Sequence, residues 1–216
     1  MTEFKSYYKT ASGNEGRRCY YPTRLDTYGR GCQHNCAYCY AKSLLIFRKN
    51  WNNKTPAAAN MKEIEKTIVE TIPTGSTVRL GGMTDCFQPV EKEVQNTYNT
   101  IKLLNKYNIN YLIVTKSDLV ATNKYLKVLD DKKAHIQISI TSTNDKLAEK
   151  YEQAAATSKR IKAIEKLQEL GFDISVRLSP YIENFVEFDK LNNIKCDKIL
   201  IEFFRGNGII KKNVSY

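Results

Sequence analysis

Six short runs rich in Ile, Val, Leu and aromatic residues alternate along this chain with amphipathic helical stretches. They are Leu25 to Gly29, Val78 to Leu80, Tyr111 to Thr115, Ile136 to Thr141, Ile174 to Leu178 and Lys198 to Phe204. Between them, Pro89 and Glu91 suit a first helical turn, and Val90, Val94, Tyr98, Ile101 and Leu104 then recur on one face until Asn108. Ile161, Ile164, Leu167 and Leu170 form a second stripe, stopped by Gly171. Weaker helical patterns run over Met61 to Ile72, Thr122 to Leu129 and Asn184 to Ile194. Strand and helix in alternation build right-handed βαβ units on a parallel sheet, whose chemistry gathers at the carboxyl ends of the strands. After the sixth run only residues 205–216 remain, too few for another strand and crossover helix. The expectation is an α/β fold, an open six-stranded parallel β/α barrel. No internal repeat or Gly-, Ser- or Pro-rich linker divides it, so residues 1–216 are expected to form one domain.

Composition narrows the classes further. Of the 216 residues, 42% are hydrophobic and 26% charged, with only 10 Gly and 5 Pro, which excludes collagen-like and largely disordered chains. No apolar run approaches the roughly 18 residues of a membrane span, and Met1 to Thr10 lacks a signal-peptide core, so a cytoplasmic protein without membrane contact is expected. Lys and Arg number 34 against 23 Asp and Glu, a net charge of +11. Stretches such as Asp145 to Glu169 mix both signs, the pattern of a solvated face. Nucleic acid is therefore a possible partner but not the favoured one.

Six cysteines (Cys19, Cys32, Cys36, Cys39, Cys86, Cys196) without a secretory signal point to metal or redox chemistry rather than a disulfide framework. Cys32, Cys36 and Cys39 stand at C-x3-C-x2-C spacing in a glycine-led loop directly after the first candidate strand. Zinc would draw on His34 as a fourth ligand, at spacings too tight for four donors to converge comfortably. Three thiolates around a four-iron cluster fit better and leave one iron without a protein ligand, open to a cofactor.

With Tyr38 immediately before the last cysteine, the loop resembles the signature of the radical S-adenosylmethionine (SAM) superfamily. That resemblance implies a full or partial β/α barrel and a 4Fe-4S cluster on the three cysteines. It also implies SAM held at the open iron and cleaved to methionine and a 5′-deoxyadenosyl radical, with an electron donor such as flavodoxin or ferredoxin. Gly81-Gly82-Met83-Thr84-Asp85, ending the second strand, matches the family's turn at the SAM amino group, which assigns Gly81, Gly82 and Thr84 to the cofactor. Lys116 matches the lysine that the spore photoproduct lyase branch places on the SAM carboxylate. Ser139 and Thr141 on the fourth strand, with Arg177 and Ser179 on the fifth, complete the cofactor set.

The branch resemblance runs from about Tyr21 to Ile182, with two departures. Gly82 stands where spore photoproduct lyases carry a cysteine hydrogen donor, and the nearest cysteine is Cys86. The chain also stops at Tyr216, before the segment that engages duplex DNA in those enzymes. A small nucleoside or nucleotide is thus the expected substrate, as in the compact queuine lyases of the same branch, which this chain resembles in size and layout. They release queuine from queuosine or its 5′-phosphate by cleaving the base-sugar bond. Asp85, Cys86 and Glu202 are candidate catalytic groups, and Gln88, Glu91, Tyr181 and Arg205 candidate substrate contacts. A DNA-repair lyase and a non-catalytic zinc or nucleic-acid-binding module are the alternatives.

Overall fold

The structure, a computed structural model, describes residue 5, residues 7–10 and residues 21–204. Its strands are β1 (Tyr7–Thr10), β2 (Thr23–Asp26), β3 (Tyr28–Gly29), β4 (Ala57–Ala58), β5 (Thr77–Leu80), β6 (Asn110–Thr115), β7 (Ala134–Ile140), β8 (Asp173–Tyr181) and β9 (Ile199–Phe203). The helices are α1 (Tyr40–Phe47), α2 (Met61–Thr71), α3 (Glu91–Val94), α4 (Asn96–Lys106), α5 (Asn123–Leu126), α6 (Asp145–Tyr151), α7 (Thr157–Glu169) and α8 (Phe188–Asn192).

The main sheet runs in the order β1-β2-β5-β6-β7-β8-β9. Every neighbouring pair from β2 to β9 is parallel, and β1 adds an antiparallel edge beside β2. The six parallel strands are those the sequence pattern predicts, and the sheet is an open, partial barrel; β1 was not anticipated. The register aligns Leu25 with Leu80, Leu80 with Ile113, Ile113 with Ile136 and Ile136 with Ile174. Since side chains alternate faces along a strand, these residues form one continuous apolar face. It is buried under Ile64 and Ile68 of α2, Ile101 and Leu104 of α4, and Ile164 and Leu167 of α7. The other face carries Arg24, Arg79, Gln137, Ser139 and Arg177. Leu112, Val114 and Leu200 share this face, so it is mixed rather than apolar throughout like the ordinary two-sided parallel strand, and it forms the barrel lumen.

Several elements depart from the sequence pattern for local reasons. The run Leu25 to Gly29 splits: β2 stays in the sheet, while Tyr28 and Gly29 pair with Ala58 and Ala57 in a separate ribbon. The long helix expected from Pro89 to Asn108 breaks at Gln95 (φ 60°), because the Glu91 carboxylate accepts from Thr97 N and Tyr98 N (both 2.9 Å) and so caps the start of α4. The charged stretch Asp145 to Glu169 likewise divides into α6 and α7. Leu170 is 51% exposed because α7 has ended there, with Gly171 at φ 79° as expected. The fifth expected strand ends at Leu178, yet β8 continues through Pro180 to Tyr181 across a register shift against β9.

Candidate active site

The cysteine loop follows β3 and leads into α1. Gly31 is required by packing, since a Cβ there would lie 1.9 Å from the Asn52 carbonyl oxygen. Tight turns close from Asn35 N to Cys32 O (3.1 Å) and from Cys39 N to Cys36 O (3.2 Å), and the Cys39 sulfur caps α1 by accepting from Lys42 N (3.4 Å). The loop is tied to distant segments by Ala37 N to Tyr151 O (2.8 Å), Gln153 N to His34 O (2.7 Å) and Gln33 N to Gln88 Oε1 (2.9 Å). Tyr38 donates to the buried Glu152 carboxylate, which also pairs with Arg160, and its hydroxyl lies 3.0 Å from Thr141 Oγ1. Arg160 in turn donates to Ser139 O (2.7 Å). Glu152 is thus the brace of the loop. Burial would raise its carboxyl, but Arg160, with Lys116 and Tyr38, holds it below the usual range.

Opposite the cysteines lies the turn after β5. Gly81 has φ 81°, and its missing Cβ would sit 3.1 Å from Val114 O. The Asp26 carboxylate accepts from Gly82 N (2.6 Å) and Met83 N (3.1 Å), Tyr40 donates to Gly82 O (2.9 Å), and Thr84 donates to Tyr28 O (2.7 Å). Asp85 ties its loop to the end of β6 and to the cysteine loop, accepting from Thr115 Oγ1 (2.7 Å), Lys116 N (2.7 Å) and Phe87 N (2.8 Å), with His34 Nε2 at 3.2 Å. Burial pushes the Asp85 carboxyl up, and the charge of His34 together with these hydrogen bonds brings it below its usual value.

Cys32, Cys36, Cys39, Gly81, Gly82, Thr84, Asp85, Lys116 and Ser139 line one cavity of about 140 Å³, together with Arg79. This brings together nine of the residues expected to form the site. Lys116 Nζ donates to Ser179 O (3.1 Å) and lies 5.5 Å from the Tyr38 ring centroid. Other expected residues do not line the cavity. Tyr38, within the cysteine loop, places its hydroxyl against Thr141 and Glu152 instead. Arg177, Ser179 and Glu202 meet in the lumen, where Glu202 Oε2 accepts from Arg177 (2.5 Å) and Ser179 (2.6 Å). Tyr181 packs against Phe188 and Phe203. Cys86, Gln88 and Glu91 are enclosed in the protein core. The Glu91 carboxylate is taken up by Tyr28, Tyr125 and the two amides of α4, so it has no oxygen to offer a substrate. Arg205 lies outside the described residues. Asp26, Arg79 and Glu152 escape the sequence reading, because each acts through partners far away in the chain.

The donor set fits an iron-sulfur cluster. Three thiols face one cavity, while among the described residues no three His, Cys, Asp or Glu side chains converge on a single metal ion. Burial pushes the Cys32 thiol up to about 12 and raises Cys36 well above its usual value, so metal must displace their protons.

The model of the Radical SAM superfamily matches residues 27–191, well over half of the chain. The chain belongs to the radical SAM superfamily. Its cofactors are a 4Fe-4S cluster and SAM, as throughout that superfamily. The uncharacterized protein MJ0683 of Methanocaldococcus jannaschii is 28% identical over 164 residues, covering 74% of this chain and 60% of that protein. Spore photoproduct lyase complexed with dinucleoside spore photoproduct superposes with a TM-score of 0.68 at 16% identity, over 95% of this chain and 63% of that one. Native anSMEcpe with bound AdoMet gives a TM-score of 0.58 at 16% identity, over 83% and 51%. These structural likenesses concern the radical SAM fold. The chain spans about three fifths of the length of the first two relatives. No helix among the described residues is long and apolar enough to cross a membrane.

Proposed function

We propose that this radical SAM enzyme is a lyase acting on a small modified nucleoside or nucleotide, cleaving the base-sugar bond and releasing queuine from queuosine or its 5′-phosphate. The observation that carries the reading is the single cavity shared by three cysteine thiols, the Gly81-Gly82 turn and Lys116. Cys32, Cys36 and Cys39 would hold the cluster, the turn braced by Asp26 would meet the SAM amino group, and the Lys116 ammonium would face the SAM carboxylate. When bound, cluster and SAM supply a carbon radical able to take a hydrogen atom from a substrate C–H bond. The protein contributes a fixed lining: Thr84 and Ser139 are buried in the cavity wall, and Tyr38 ties the cysteine loop to Glu152. The nucleoside class is supported by the cluster-loop and strand-end motifs shared with the spore photoproduct lyase branch, and by the polar side chains Arg79 and Ser139 that the lumen face presents to the cavity.

The test is anaerobic incubation of reconstituted enzyme, dithionite and SAM with queuosine, its 5′-phosphate, ordinary nucleosides and ultraviolet-damaged DNA, with products read by mass. Free queuine is expected, and Cys32→Ala, Cys36→Ala and Cys39→Ala should each abolish SAM cleavage and lower bound iron. Repair of the DNA with no base released from any nucleoside would overturn the reading. A repair role for Cys86 as hydrogen donor is disfavoured by its enclosure in the core at 1% exposure.

A further inference from the structure

Exposed apolar side chains concentrate on one helix, and that helix begins at a cluster cysteine. Tyr40, Leu44, Ile46 and Phe47 of α1 all reach the surface, Phe47 at 85% exposure. The longer helices α2, α4 and α7 together leave one large apolar side chain exposed, Val69. Within α1 only Ala41 and Leu45 are buried. Tyr40 is engaged with the cavity through Gly82 O (2.9 Å), which leaves Leu44, Ile46 and Phe47 as the open part of the face. The helix springs from Cys39, whose sulfur caps it and which is the least buried of the three cysteines of the loop.

The rim of this face is basic. From Thr27 to Asn60 the chain carries Arg30, Lys42, Arg48, Lys49 and Lys54, and no Asp or Glu. The stretch after α1 folds back on the helix and the cysteine loop, with Asn50 N donating to Leu45 O (2.8 Å) and Asn52 N to Arg30 O (2.6 Å). These cations therefore gather around α1. None of the five forms an ion pair with a described residue. Asp85 and Glu152, the carboxylates that reach the cysteine loop from other elements, are answered inside the protein by His34 and Arg160. Setting all three thiolates of the loop against the five cations still leaves two positive charges.

An apolar centre inside a charged rim is the anatomy of a protein interface. A nucleic acid would draw most of its affinity from phosphate contacts, whereas the middle of this face is aliphatic and aromatic. At eight residues α1 is only about 12 Å long, which suits the transient contacts of electron-transfer partners, under about 1,200 Å² in total, better than the ~1,600 Å² of a stable dimer. A redox group seated on a helix that starts at Cys39 also lies on the cluster's side of the molecule. We propose that the outer face of α1, with its basic rim, docks a small acidic one-electron carrier protein that reduces the cluster. One electron leaves the carrier and enters the cluster, so the carrier is oxidised by one electron and the cluster reduced by one. No bond is made or broken and no proton moves at the interface. The proposal rests on the superfamily's cofactors and is independent of the substrate.

Calorimetry on the cluster-reconstituted enzyme, with an acidic flavodoxin and an acidic ferredoxin as probes, reads the docking. Rapid-freeze EPR of the cluster reads the electron transfer, with dithionite as a reductant that needs no docking. At least one carrier should bind saturably, and more weakly as salt is raised. Phe47→Ser should weaken that binding about tenfold or more and slow reduction by the carrier to match. Arg48→Glu with Lys54→Glu should slow association at low salt, and the difference from wild type should shrink at high salt. Both proteins should keep their iron content, SAM affinity and reduction by dithionite, because the altered side chains are exposed. Failure of both carriers to bind, or binding and reduction unchanged in the variants, would overturn the proposal. So would a wild-type dimer that Phe47→Ser turns into a monomer with carrier binding intact, since α1 would then cover a second copy. Loss of RNA or DNA binding in the variants, with reduction by the carrier unchanged, would overturn it equally. Weakened docking in variants of an enzyme that releases no base removes the lyase reading and supports the docking face.

Discussion

Lys116 contributes through two separate atoms. Its amide fixes Asp85, while its ammonium reaches across to Ser179 O and leaves donor capacity facing the cavity. If that ammonium holds the SAM carboxylate, Lys116→Ala should raise the SAM dissociation constant about tenfold or more, since a hydrogen bond to a charged group contributes roughly 1.5 to 3 kcal/mol. Titration by equilibrium dialysis checks this, and an unchanged constant would remove Lys116 from the cofactor site. At this scale the sequence was most informative where chemistry is local. Three thiols within eight residues, and a Gly-Gly pair at the end of a candidate strand, are legible without a structure. Asp85 and Glu91 show the limit: a carboxylate near the site looks available in sequence, whereas in the fold its oxygens are consumed by neighbouring amides and hydroxyls.

Among the elements, the joint between α6 and α7 matters most to the site. Glu152 lies there, between Tyr38 of the cysteine loop and Arg160 of α7, both buried. Breaking a buried pair by removing one partner typically costs about 3–5 kcal/mol, because the remaining charge is left uncompensated. Glu152→Gln should therefore lower the urea midpoint by a corresponding amount, and Glu152→Gln with Arg160→Met should recover a large part of the loss. A single variant unfolding within about 1 kcal/mol of wild type would show that the brace is unimportant, that margin being the ordinary effect of a surface substitution or little more. Strand and helix alternation was readable because each apolar stripe is written locally at period 2 or 3.6. The Gln95 break, the two-residue ribbon of β3 with β4 and the passage of β8 through Pro180 were not. Each is decided by a partner outside the local window, such as the Glu91 carboxylate at the start of α4 or the bulge facing β9.

Across the whole molecule, Asp26 couples the first parallel strand to the glycine turn. Its carboxyl titrates near 7 in the folded protein, raised by burial against the amide hydrogen bonds and arginines that lower it, and near 3.9 when unfolded. The folded state therefore holds a proton that the unfolded chain has lost. The stability this contributes is fully present below about pH 4 and is lost as pH rises through about 7. Thermal melts from pH 4 to 8 should fall more steeply for wild type than for Asp26→Asn, and parallel curves would refute the assignment. The sheet order has a consequence for assembly. From β2 onward each strand pairs with the main-sheet strand that precedes it in sequence, so the sheet can grow one unit at a time as the chain emerges. The cysteines do not share that economy. Tyr38 meets Glu152 across 114 residues, so the loop is chemically complete long before it is mechanically supported. Iron and sulfide arriving early in synthesis would meet three thiols on an unbraced segment, and the protein becomes fit to receive its cluster only after α7 has been made.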